Sequence, residues 1–260
     1  MKVPSAPVCA AWLAFGLAQA TPQLSPEVMA KPAQLFPVAP ATAGAGPAVI
    51  EYWLDGPARR VALTIRSPAG SQTVMLVPGR KRGVNRVTWD LRIVPPGIDA
   101  MEVRKEAAKN MPMPLALPGD YTVRLTVDQA VHEQPLRVSD DASLKMTPAE
   151  RKVWTDTQVK LWQTAYGAER QRETVVALGE QARMQPGTRL KATIIGLKTL
   201  EEPLEEIGEH SEALLKKIIA TTRPVGAGDI AKANDYAAAL EKRRIEARAL
   251  QAGMRPTPAR

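Results

Sequence analysis

Apolar and polar residues alternate through residues 48–139, and a seven-residue apolar recurrence replaces that alternation after residue 147. A period of two sends successive side chains to opposite faces of a strand, whereas a period near 3.5 lines them along one stripe of a helix. The segment AVIEYWL (48–54) reads as a strand that the turn residues DGPARR close. In RVALTIRS (60–67), Val61, Leu63 and Ile65 take one face and Ala62, Thr64 and Arg66 the other. PAGS turns the chain and QTVMLV pairs back. GVNRVTWDLR (83–92) sets Val87, Trp89 and Leu91 against Arg86, Thr88, Asp90 and Arg92. LPGDYTVRLTVDQAVHEQPLRV (117–138) reads as a hairpin, with Tyr121, Val123, Leu125 and Val127 inward and Leu136 and Val138 inward on the return. Six short strands, each with one wet face, predict a small antiparallel sandwich over residues 48–139.

The helical pattern opens on TPAE. Thr147 is placed as N-cap, Pro148 at the first helical position and Glu150 as the returning arm of a capping box. Trp154, Leu161, Ala168, Val175 and Ala182 then recur every seven residues. QPGT ends that helix and Thr188 caps the next, where Leu190, Leu197, Leu204, Ser211 and Ile218 share a stripe with Leu200, Ile207 and Leu214. Pro203 predicts a kink near Glu201. RPVGAG breaks the chain, Asp229 caps, and Ile230, Ala233, Ala237 and Leu240 mark a third helix. Short connections predict an antiparallel three-helix bundle over residues 145–252, with residues 253–260 a disordered tail.

Three stretches escape both periods. Residues 93–117 form a long loop, in which residues 102–110 suit two helical turns and Met111, Met113 and Leu115 suit the covering of a sheet edge or a partner. Residues 21–47 are rich in Pro, Ala and Gly and read as a semi-extended linker. Residues 1–20 carry one Lys, an apolar run from Val8 to Leu17 and Ala18-Gln19-Ala20, the order of a secretory signal with a small-x-small cleavage site. That run is too short to span a bilayer. Cys9 is the chain's one cysteine, so cleavage after Ala20 leaves a mature chain without disulfides or a thiol nucleophile. The reading is a bacterial periplasmic or extracellular protein with no integral membrane segment after cleavage.

Charge and chemistry change this picture little. The net charge is +8 and aromatics are 4%, with no dense basic stripe interleaved with aromatic residues, which argues against nucleic acid as a partner. His132 and His210 have no ligand-type neighbours at metal spacing. Neither a nucleophile elbow nor a phosphate-binding loop occurs. Glu201, Glu202, Glu205, Glu206 and Glu209 fall on the wet side of a helix. Trp53, Trp89 and Tyr121 suit a sugar-stacking platform by type, but alternation turns Trp89 and Tyr121 inward. A glycosidase needs two facing carboxyl groups, and the candidates are Asp99, Glu102 and Glu106 in the long loop with Asp90 or Asp120. No catalytic, cofactor-binding or metal-binding residue is assigned.

GVNRVTWDLR, followed by LALPGDYTVRLTV and QPLRV, resembles the Ig-like module of the flagellar hook-capping type. With the helical region behind it, the order resembles the C-terminal part of large secreted sortilin-type or BNR-repeat glycosyl hydrolase-like proteins. The sequence departs from that pattern in lacking any propeller repeat and in its hairpin turn, Asp128-Gln129-Ala130, where a glycine is usual. No position here matches a catalytic residue of a propeller. The resemblance implies an α+β chain of two modules, an antiparallel Ig-like β-sandwich followed by an antiparallel three-helix bundle. It implies a non-catalytic binding or assembly role beside an extracellular glycan- or protein-processing system. The expected partner is a protein, a separately encoded propeller among them, or a cell-surface glycan. The alternatives are a glycosyl hydrolase-like enzyme subunit and a helical envelope scaffold.

Overall fold

The computed structural model describes residues 24–68, 70, 73–98, 111–184 and 190–254. The signal segment with Cys9, the helical turns at 102–110 with Asp99, Glu102 and Glu106, the Thr188 cap and residues 255–260 lie outside the described residues.

The chain opens with a single helical turn, α1 (Pro26–Met29), capped by Ser25. Eight strands follow: β1 (Ala33–Leu35), β2 (Ala41–Thr42), β3 (Ala48–Leu54), β4 (Val61–Arg66), β5 (Thr73–Leu76), β6 (Gly83–Trp89), β7 (Gly119–Val127) and β8 (Ala130–Ser139). Four longer helices follow among the described residues: α2 (Pro148–Arg183), α3 (Leu190–Lys198), α4 (Glu201–Ile219) and α5 (Ala227–Ala252). The fold class is α+β.

Two expectations about this architecture are corrected. The β part is not an antiparallel Ig-like sandwich. It holds a three-stranded sheet, β1-β3-β6, and a five-stranded mixed sheet, β2-β8-β7-β4-β5, curled around one core. The short strand β2 runs parallel to β8, with Ala41 opposite Val138. Both extra strands come from the stretch expected to be a linker, whose Ala33, Leu35, Phe36, Ala41 and Ala43 are buried. Strands of two or three residues are too short to register as alternation, and proline content masked them. The helical part is not a three-helix bundle either. The second expected helix is two, α3 and α4, separated at Thr199-Leu200. The break falls where Pro203 requires it, because a proline is tolerated in a first turn but not in a helix interior.

Face assignments within the elements hold. Val61, Leu63 and Ile65 are buried, as are Tyr121, Val123, Leu125, Val127, Leu136 and Val138. Register explains this: β4 runs antiparallel to β7 with Leu63 opposite Leu125, and β7 to β8 with Tyr121 opposite Leu136. Pro135 sits within β8 opposite Thr122, beyond the reach of the two-residue β2, where a missing N–H breaks no ladder. The hairpin turn dispenses with glycine because Asp128 takes the left-handed region at φ 52°. Aspartate tolerates that region better than most residues, and its Oδ1 accepts the Arg60 N–H at 3.0 Å.

In the helices, Trp154, Leu161, Ala168, Val175 and Ala182 are all buried on α2, and the first four pack in clusters with Leu204, Ile207, Leu214 and Ile218 of α4. The Thr147–Glu150 capping box is present. Asp229, however, is not the cap of α5. Gly226 holds that position, and Asp229 in the first turn pairs with Lys217 at 2.9 Å.

Candidate functional site

The β part is curled but not closed. Strand β5 ends one sheet and β6 ends the other, and among the described strands each pairs on one side only. A cleft of about 740 Å³ lies between them. Its walls are Val74, Met75 and Leu76 of β5 and Thr88 and Trp89 of β6. Arg92, Ile93, Val94, Met113 and Leu115 close one end.

The motif WDLR builds that end. Trp89 is buried, its indole N–H donates to the Arg92 carbonyl at 2.8 Å, and its ring lies 5.4 Å from that of Tyr121. Asp90 Oδ1 accepts the Arg92 N–H at 3.1 Å. Leu91 sits in the left-handed region at φ 61° with its side chain buried. An apolar residue pays about 1 kcal/mol or more for that conformation, and burial of Leu91 together with the two flanking side-chain bonds offsets it. The Arg92 guanidinium donates to the Met113 carbonyl. Arg92 and Leu115 form an antiparallel bridge, and Ala116 N donates to the Leu91 carbonyl at 2.7 Å. The two stems of the long loop are thereby zipped together.

A buried arginine ties this end to the helices. Arg151 of α2 is 1% exposed. Its Nε donates to Asp140 at 3.0 Å, its Nη2 to the Ala116 carbonyl at 2.8 Å and its Nη1 to Thr155 Oγ1. The guanidinium also lies 4.7 Å from the Trp154 ring centre. A planar, always-charged fork with several partners suits such burial, where an unpaired charge is costly. Gln158 Oε1 accepts the Leu115 N–H at 3.4 Å, and Met111, Met113 and Leu115 pack against Trp154 and Trp162. These loop residues, expected to cover a sheet edge or a partner, cover the chain's own helical part instead.

At the opposite end of the strands, two buried polar side chains hold the connection 77–82. Tyr52 donates to the Gly79 carbonyl at 2.7 Å. Asn85 donates to the Lys81 carbonyl at 2.8 Å and to the Gly83 carbonyl at 3.1 Å. A Cβ on Gly79 would lie 2.3 Å from Asn85 Oδ1, so only glycine lets the loop close on that amide. Burial pushes the Tyr52 phenol up to about 12 against the lowering effect of its bond to Gly79. Tyr121 donates to the Leu117 carbonyl at 2.7 Å. Burial raises it to about 12, with Arg151 acting downward and Asp140 upward. Both phenols stay protonated donors at neutral pH.

The sequence candidates for chemistry do not converge. Asp90 caps its own turn, and Asp120 pairs with Arg137 at 2.7 Å on the surface. Trp53 is buried and donates to the Lys31 carbonyl at 3.2 Å, while Trp89 and Tyr121 are core. His210 stacks on Tyr236 at 5.9 Å. Among the described residues, no group of three or more His, Cys, Asp or Glu is placed to hold a metal ion. Of the helical glutamates, Glu205 and Glu209 line a smaller cleft of about 240 Å³ with Tyr166 and Arg170. Sequence reasoning missed the larger cleft because the strands that border it are consecutive in the chain yet belong to different sheets. The signal for it was the six-residue connection 77–82, longer than a tight hairpin needs. Compared with known proteins, the chain matches no family model and no curated protein.

Proposed function

We propose that this chain is a secreted, non-catalytic binding and assembly module, accessory to a cell-envelope or extracellular glycan- or protein-processing system. Its binding element is the cleft between β5 and β6, and its partner is a protein that supplies an extended segment. The observation that carries this reading is the pairing of two sheet edges with an apolar wall between them. Such an arrangement takes a peptide by strand addition, with main-chain hydrogen bonds for affinity and side-chain pockets for selectivity. The pinned WDLR turn and the buried Arg151 network support it, because a preorganised cleft loses less entropy on binding. The resemblance of residues 83–92 and 118–138 to the C-terminal part of secreted BNR-repeat glycosyl hydrolase-like proteins supports the accessory role. The enzyme alternative has less support, since Asp90 and Asp120 are each engaged in a local structural bond.

Peptides selected from a displayed library on the immobilised chain test this. They should protect backbone amides of Gly83–Trp89 from hydrogen exchange. The paired substitution Met75→Lys and Thr88→Lys should weaken them at least about ten-fold, as lysine on an edge opposes strand pairing. Binders that leave those amides unprotected, and that bind the double variant equally well, count against the cleft.

A further inference from the structure

Topology gathers a basic surface that the sequence disperses. Residues 55–60 join β3 to β4, residues 77–82 join β5 to β6, and Asp128-Gln129 join β7 to β8. All three connections lie at one end of the strands, where Leu54 faces Gly83 and Val61 faces Val127. The helices attach at the other end, through Asp140 and Ala116. Two of the three connections are tied together, for Arg60 N donates to Asp128 Oδ1 and Asp128 N to the Arg60 carbonyl. The third is held from beneath by Tyr52 and Asn85.

Arg59, Arg60, Arg80, Lys81 and Arg82 are all exposed on this end, and the carboxylates on the same connections are Asp55 and Asp128. Among the described residues none of the five cations makes an ion pair, whereas the neighbouring Arg86 is paired with Glu51 at 2.8 Å. Apolar side chains stand among them. Val77 is 70% exposed, and Val84 and Val131 are also exposed at this end. An ordinary solvated face interleaves acids with its bases, whereas these connections carry two acids against five bases. Arg80, Lys81 and Arg82 project from a loop held by the buried Tyr52 and Asn85, and Arg59 and Arg60 from one tied to Asp128, so their grouping is built into the fold. Trp53 and Tyr52, the aromatic residues nearest this end, are buried and offer a sugar no ring to stack on.

We propose that this end of the molecule docks on an anionic lipid bilayer. Arg59, Arg60, Arg80, Lys81 and Arg82 meet the headgroup phosphates, and Val77 enters the interfacial layer. Cations near a charged surface and an apolar tip act together in such docking. The contact is peripheral: among the described residues no helix is long and apolar enough to cross a membrane.

Co-sedimentation of the full chain with vesicles tests it. Vesicles of mixed phosphatidylglycerol and phosphatidylcholine should capture the chain at low salt and release it at high salt, because screening shortens the reach of the charges. Pure phosphatidylcholine vesicles should not capture it. The triple variant Arg80→Glu, Lys81→Glu and Arg82→Glu should lower partitioning by at least about ten-fold. Val77→Ser should lower it several-fold with the charge intact. The Met75→Lys and Thr88→Lys pair should retain full capture, which separates this surface from the cleft. A melting curve matched to the parent establishes that the triple variant folds. Should it melt early, Arg59→Glu with Arg82→Glu carries the same test. Equal capture of the charge-reversed chain or equal capture by neutral vesicles overturns the assignment.

Discussion

In the sheets, the buried Tyr52, Asn85, Trp89 and Tyr121 each donate to a backbone carbonyl of a connection. Among the described residues, the buried Gln158 amide nitrogen, Trp162 indole N–H and Ser211 hydroxyl of the helices have no hydrogen-bond partner, against His132 Nε2 in the sheets. The contrast follows from backbone arithmetic. A helix satisfies its own carbonyls, so a polar side chain inside a helical core finds few acceptors. Sheet connections carry free carbonyls, and a buried phenol or indole that reaches one fixes a loop as well as satisfying itself. Polar tips therefore shape the β part, including its cleft and its basic end, whereas the helical part is shaped mainly by its apolar stripe, with Arg151 and Trp154 as its buried, bonded polar groups.

The largest effect should come from Trp89, which combines core packing with the bond that closes the WDLR turn. Trp89→Ala should cost about 4 kcal/mol of stability and be read as a lower urea midpoint. A cost under about 1 kcal/mol would mean that the turn stands without its indole. A smaller effect separates the halves by pH. Tyr52 and Tyr121, both in the β part, are raised to about 12 from 10. Their folded-state values lie above the unfolded one, so the stability linked to them is complete below pH 10 and falls as pH rises from 10 to 12. Alkaline titration monitored at the β-part tryptophans should show this loss, and Tyr52→Phe with Tyr121→Phe should flatten it. The smallest effect belongs to the helices. Ser211→Ala removes a buried hydroxyl that has no partner among the described residues, so stability should stay the same or rise by about 1 kcal/mol. A clear loss in calorimetry would mean that the hydroxyl is satisfied after all, and the contrast between the halves would narrow.

Much of the fold was legible residue by residue. Tyr121, Val123, Leu125 and Val127 alternate because β7 is buried on one face. The recurrence from Trp154 to Ala182 is the buried stripe of α2. Thr147 and Glu150 announce their own cap. The functional surfaces were far less legible. Arg59 and Arg60 are 20 to 23 residues from Arg80, Lys81 and Arg82, and alternation carries no information about which connections share an end. The stretch around Leu35 and Ala41 gave no periodic signal, so its two strands and the parallel pairing with β8 went unseen.

The sequence by itself determined which side chains face inward, where the long helix starts and where the second helical stretch breaks, because these rest on local periods, caps and proline sterics. Only the tertiary structure decided that the sheets curl without closing, that β5 and β6 border a cleft, and that five scattered cations stand together. Those features depend on which strands pair, and pairing is a long-range competition that no local pattern encodes.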